Sequence, residues 1–166
     1  MKLNDAKNSP VLEGYLCVEK LDKDTNTWIN EFTEKNLVLD VASTILRDLM
    51  FGEDIQRIDS IFFGDMNLTQ SDDLQNVAAP QPGDTSLVNK LYEKAVSKTK
   101  VVYDTNPAIQ YQVVLEENEF NGSGSQLITE YALGNSDDQI FTRKTRAAVY
   151  KDDETSLRFT WTLVFA

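Results

Sequence analysis

The chain has 166 residues, 41% hydrophobic and 26% charged, enough for a folded core and too apolar for a disordered chain. Sixteen basic residues against 27 acidic ones leave a formal charge of −11, which argues against nucleic acid and against anionic membrane surfaces. There is no histidine and only one cysteine, Cys17, which excludes histidine-based triads, nearly all zinc sites and any internal disulfide.

The first ten residues, Met1 to Pro10, are polar and lack the apolar stretch of a secretion signal, and no run approaches a membrane span, so synthesis and retention in the cytosol is the expectation. Residues 1–9 read as an N-terminal arm on a single domain that takes up 1–166. From residue 11 the chain alternates, with Leu12, Leu16 and Val18 on one side and Val11, Tyr15, Cys17 and Leu21 on the other, which predicts a strand. The run Asp22 to Thr27 is dense in turn formers, and Trp28, Ile29 and Phe32 follow, so 11–33 reads as a hairpin. Val38, Val41, Ala42, Ile45, Leu46 and Leu49 then form one apolar stripe at helical spacing. Asn36 stands where an N-cap is expected and Gly52 where the helix should stop. Such a stripe predicts a helix lying flat on a sheet.

Ile58, Ile61, Phe62 and Phe63 read as a buried strand ending at Gly64-Asp65. Residues 65–83 are polar, with few large apolar groups, and predict a long functional or mobile loop. Within 84–92, Asp84 or Ser86 is placed to cap a short helix carrying Leu87, Val88 and Leu91, and 95–103 is β-like. The remainder reads as a meander: 109–115, a break at Asn121 to Ser125, 127–133, a turn at 134–138, then 139–150 and 157–165. In the last run Leu157, Phe159, Trp161, Leu163 and Phe165 alternate with Arg158, Thr160 and Thr162, one side buried and one wet. The expected fold is mainly β with one amphipathic helix (α+β), an antiparallel β-sandwich or partly closed barrel.

The residues that could carry chemistry have simpler explanations. Asp22-x-Asp24-x-Asn26 opens like a calcium loop, but Thr27 stands where glycine is needed and Thr33 where a bidentate glutamate belongs, so a hairpin turn is expected instead. Glu116, Glu117 and Glu119 could serve acid–base chemistry on a glycan, yet a solvated strand end accounts for them. Glu130 sits among apolar neighbours and needs a partner if buried, which Arg143 or Arg146 could supply as an inter-strand ion pair. Lys98, Lys100, Arg143, Lys144 and Arg146 suit a protein contact. Cys17 reads as a small apolar strand residue, and Gly122-Ser123-Gly124 lacks the context of a phosphate loop. Trp28, Tyr92, Tyr103 and Tyr111 are the rings a carbohydrate-binding module would use, and Trp28 beside its turn could anchor an interface. No catalytic, cofactor-binding or metal-binding residue is assigned.

The order of segments resembles a family of tailed-bacteriophage virion structural proteins, small β-rich modules encoded near tail, baseplate or fibre genes. The resembling pieces are Ser9-Pro10-Val11-Leu12-Glu13-Gly14-Tyr15-Leu16, Lys35-Asn36-Leu37-Val38 before the helix, and Ile58 to Asp65 around Phe62-Phe63-Gly64. They continue with Asp84-Thr85-Ser86-Leu87, Leu127 to Leu133, Asp138 to Arg143, Tyr150-Lys151 and the last, tryptophan-containing strand. Ala132 departs from the family's glycine, and Asp65-Met66-Asn67 lengthens the exit from Gly64. The resemblance implies a non-enzymatic part at the tail, neck, baseplate or fibre attachment site, or a capsid decoration protein. It implies virion localisation after assembly in the host cytoplasm, other virion structural proteins as partners, and multiple copies; a homo-oligomer is expected, with a cyclic trimer as one form of it, and no cofactor is expected.

Overall fold

A computed structural model describes residues 12–122 and 124–166. It is mainly β, with nine antiparallel strands and one helix among the described residues: β1 (Leu12–Asp22), β2 (Thr27–Val38), α1 (Asp40–Phe51), β3 (Ser60–Gly64), β4 (Lys90–Ala95), β5 (Ser97–Tyr103), β6 (Asn106–Leu115), β7 (Ser125–Gly134), β8 (Ile140–Asp152) and β9 (Leu157–Phe165). The expected arm, residues 1–9, lies outside the described residues.

The strands form one sheet in the order β4-β3-β7-β8-β2-β1-β9-β6-β5. It divides into two layers. Strands β5, β6, β9, β1 and β2 form the first, with long registers such as Leu12↔Phe165 through Lys20↔Leu157. Strands β4, β3, β7 and β8 form the second; among the described residues the ladder between the two layers is the short one in which Leu37 and Val38 at the end of β2 meet Arg143 and Thr142. Two corners turn the sheet into a half-barrel. At one, β2 leaves β1 for β8; at the other, β4 and β5 at opposite edges are separated in the chain by Val96 alone, whose N–H donates to the Asp59 carbonyl at 2.8 Å.

Strand periodicity accounts for the core. Leu16, Val18, Tyr111, Val113, Phe159, Trp161 and Leu163 of the first layer point inward against Ile61, Phe63, Tyr131 and Leu133 of the second. Phe63 is the centre of an aromatic cluster, edge-on to Phe159 at 4.8 Å between centroids and to Tyr131 at 6.3 Å. A bulge between Ile128 and Glu130 resets the alternation of β7, so Ile128 and Tyr131 both face the core.

Three expectations are corrected. The helix begins after Leu39, not at Asn36, because β2 runs on to Val38 to pair with β8 and the Leu39 N–H donates to the Phe141 carbonyl. Asn36 is a strand residue whose amide lies over Gly14, in the space a Cβ there would take. Gly52 ends the helix as expected, at φ 91°, with its N–H donating to helix carbonyls. The helix does not lie flat on a sheet. Ala42 and Ile45 pack on Phe141, Ile55 and Ile58, while Leu46 and Leu49 face the ends of β1, β6 and β9 across a groove of about 330 Å³. Finally, 84–92 forms no helix: residues 84–89 are irregular and β4 follows, paired to β3.

Candidate functional site

Alternation leaves each layer with an outer face, and the two faces are built differently. On the second layer Phe62, Gly64, Glu130, Ala132 and Arg143 point outward, since their neighbours Ile61, Phe63, Tyr131 and Leu133 fill the core. This face is covered by the chain between β3 and β4. Leu87 and Leu39 pack on Phe62, Ala132 and Ile140.

The polar groups beneath that cover form one connected cluster. Glu130 is fully buried and accepts from the backbone N–H groups of Val88 (3.0 Å) and Asn89 (2.8 Å) and from the Arg143 guanidinium (2.7 Å). The other arm of Arg143 donates to Asp84 at 2.5 Å, and the Asn89 amide donates to Asp65 at 2.7 Å. Gly64 is required here, because a Cβ would stand 2.3 Å from the Asn89 carbonyl and 2.6 Å from Glu130 Oε1. Burial raises the Asp84 carboxyl pKa, but the Gln81 N–H and Arg143 outweigh it and hold it below the ordinary aspartate value. The pairing of Glu130 with Arg143 is the inter-strand ion pair the sequence suggested; its third member, Asp84, was not anticipated.

The polar loop 65–83 is fastened by the same chemistry. Thr145 donates to the Ala78 carbonyl, Ala148 N–H to Leu74 and Asp40 N–H to Pro82. Within it, Asp65 and Asp73 accept the N–H two residues on as Asx turns, Asp72 accepts the Thr69 N–H three residues back, and at its end Asp84 accepts the Gln81 N–H likewise. It is a strap on its own chain, not a segment extended away from it.

Among the described residues none forms such a cover on the outer face of the first layer. Three rows cross it: Gln110, Thr162, Tyr15 and Lys35; Gln112, Thr160, Cys17 and Thr33; Val114, Arg158, Glu19 and Asn30. Gln110 donates to Thr162 Oγ1 at 3.3 Å and Gln112 to Thr160 Oγ1 at 3.0 Å. Arg158 grips Glu19 with two bonds, at 2.6 and 2.8 Å, and lies over the Trp28 ring at 4.6 Å. At the opposite end the β5–β6 hairpin, turning through Asp104 and Thr105 at positive φ, stacks Tyr103 on Tyr15 at 5.2 Å. The space between holds about 390 Å³.

The remaining sequence candidates are dispersed. Asp22 Oδ1 accepts the Asp24 and Thr25 N–H groups as a turn. Glu117 pairs with Lys23 at 3.0 Å, but Glu119 is no solvated strand end: it accepts from Lys94 and the Tyr92 hydroxyl, both at 2.6 Å. That bond is the main reason the Tyr92 pKa is pushed up to about 12, with burial adding to it. The five basic residues form no single patch. Arg143 is buried, Lys144 and Arg146 both face Glu34, and Lys98 borders the apolar groove. The four rings are likewise separated: Tyr111 is core and Tyr92 stacks on Phe120, while Trp28 and Tyr103 belong to the open face. Cys17 is on that face too, half-buried beside the Asn30 amide at 3.3 Å, because its neighbours Leu16 and Val18 take the core. Of the Gly122-Ser123-Gly124 run, Ser123 lies outside the described residues.

The fold and its two faces define a half-barrel β-protein of one curled antiparallel sheet. Comparison with protein-family models, curated proteins and solved structures found no match to this chain.

Proposed function

We propose that the chain is a non-enzymatic structural part of a tailed-bacteriophage virion, assembling through protein–protein contacts at the tail, neck, baseplate or fibre attachment site. The observation that carries the reading is an apolar surface at the end of α1. Met50 is 90% exposed and Phe51 83%, at the end of the same helix whose Leu46 and Leu49 line the groove with Leu12, Ile109 and Phe165. Apolar side chains gathered this way favour completion by another protein. The ordered segments resembling virion modules support the same reading. So does the use of Glu119 and Glu130 in ion pairs with Lys94 and Arg143, which leaves neither as a free acid.

A second copy of the chain in a cyclic, threefold oligomer is the proposed first partner, and other virion structural proteins the next. Capsid decoration is the variant in which the partner is a shell protein. Sizing chromatography with light scattering tests this, on the pure chain and with isolated particle components. The expected result is an oligomer, or capture by a tail or capsid component, lost in the Met50→Ser/Phe51→Ser double variant. A strict monomer that binds no particle component overturns it.

A further inference from the structure

The open face of the first layer has the composition of a ligand site and no role in the core. Its floor is made of short, neutral hydrogen-bonding side chains held in register by the sheet. Thr160 is 9% and Thr162 5% exposed, each fixed by the glutamine beside it. Because each hydroxyl oxygen accepts from a glutamine amide, its own proton is free to be donated outward, and each glutamine carbonyl is free to accept. Thr33 repeats the arrangement, accepting from Asn30 at 2.9 Å. The floor therefore offers alternating donors and acceptors at strand spacing, ~4.8 Å apart.

The charge balance narrows the ligand. In a chain of net charge −11, the two ionised groups lining the hollow, Glu19 and Arg158, neutralise each other through two hydrogen bonds. Neither an anion nor a cation gains there without breaking that pair. At one end Tyr15 and Tyr103 form an aromatic wall. The volume, about 390 Å³, is within the range of small-ligand sites.

We propose that this hollow binds a neutral saccharide, whose hydroxyls pair with Gln110, Gln112, Thr160 and Thr162 and whose apolar ring face rests against the tyrosine wall. A polyol hydroxyl both donates and accepts, which is what the floor supplies. A peptide strand would instead seek a sheet edge, and an apolar ligand would leave the threonine hydroxyl protons and glutamine carbonyls unpaired. The site lies apart from the apolar groove and does not depend on the assembly reading.

Cys17, the sole cysteine, stands in the floor and serves as the reporter. The experiment titrates the full-length chain with maltotriose, cellotriose, chitotriose and a galactose trisaccharide, by calorimetry and by the rate of Cys17 reaction with Ellman's reagent. The expected result is binding of at least one of them, with labelling slowed about tenfold at ten times its Kd by mass action. Gln112→Met and Thr160→Val are each expected to weaken binding about five- to tenfold, the loss of one or two neutral hydrogen bonds. Should either variant fold poorly, protection of Cys17 in the natural chain decides. The proposal is overturned if none of the four binds at millimolar concentration. Binding that leaves Cys17 reactivity unchanged places the sugar elsewhere and also overturns it, as does equal affinity for a uronic-acid trisaccharide.

Discussion

The two layers of this half-barrel share a core but differ on their outer faces. The second layer is covered by its own chain: the strap 65–89 lies over Phe62, Ala132 and Thr145, and Glu130 and Arg143 hold it from below, Arg143 by gripping Asp84 of the strap. The first layer is left open by the described residues, with a floor of threonine and glutamine. The same alternation that buries one side of each strand produces both faces. Whether the other side becomes structure or surface is decided by where the longest connection runs. Charges follow that division. The fully buried carboxylate Glu130 is on the covered face, whereas the pair on the open face, Glu19 and Arg158, remains partly exposed and mutually satisfied.

The sharpest way to break the contrast is to unfasten the strap. Glu130→Gln or Arg143→Met leaves a buried partner without its counter-charge, and each is expected to cost about 3–5 kcal/mol in urea unfolding. Limited proteolysis should then cut within 65–83. Replacing both, as Glu130→Leu/Arg143→Met, should cost less than the sum; strict additivity would show that the two side chains are not coupled. Gly64→Ala acts on the same cover by crowding rather than by charge. Its Cβ meets a backbone carbonyl that cannot swing aside, so about 1–3 kcal/mol is expected, with faster hydrogen exchange at Val88 and Asn89.

Acid should loosen the covered face. The Asp84 carboxyl pKa is held below its unfolded value, so its contribution is complete above the ordinary aspartate pKa and is lost as pH falls through the lowered one. Glu119, also lowered, acts in the same direction: burial raises it, but Lys94, Tyr92 and the Glu116 N–H outweigh that. Asp84→Asn should flatten the acid limb of a stability–pH curve, and an unchanged limb would remove Asp84 from the fastening. The smallest effects belong to the open face. Gln112→Met and Thr160→Val are expected to change stability by no more than about 1 kcal/mol each in chemical denaturation. A loss as large as that at Glu130 would make this face structural after all.

Much of this was legible in the sequence, because period two states which side chains share a face. The hairpin and the last strand followed from spacing, which also narrowed the partner of Glu130 to Arg143 or Arg146; the fold selects Arg143. What spacing does not carry is which distant strand lies alongside. Asn36 reads as a cap until β8 is known to extend β2 past it. Leu87, Val88 and Leu91 fit a helical stripe, but Glu130 takes the N–H groups of Val88 and Asn89, and β3 offers β4 a ladder. The strap looked mobile because its residues are polar. Their polarity is spent on local turns and on Arg143 instead. The hollow was invisible for the same reason: Gln110, Gln112, Thr160 and Cys17 come from three strands that meet only in the folded sheet.

The lone residue between β4 and β5 has a mechanical consequence. With Val96 as the whole link, those strands are geared to each other. A slip of one residue against β3 would have to be matched by a slip against β6, and it would pull the partly buried Tyr92 and Val96 off the margin of the core. Misregistration on one side of the barrel is therefore penalised on both, and the elbow acts as a ratchet that keeps the two walls in step.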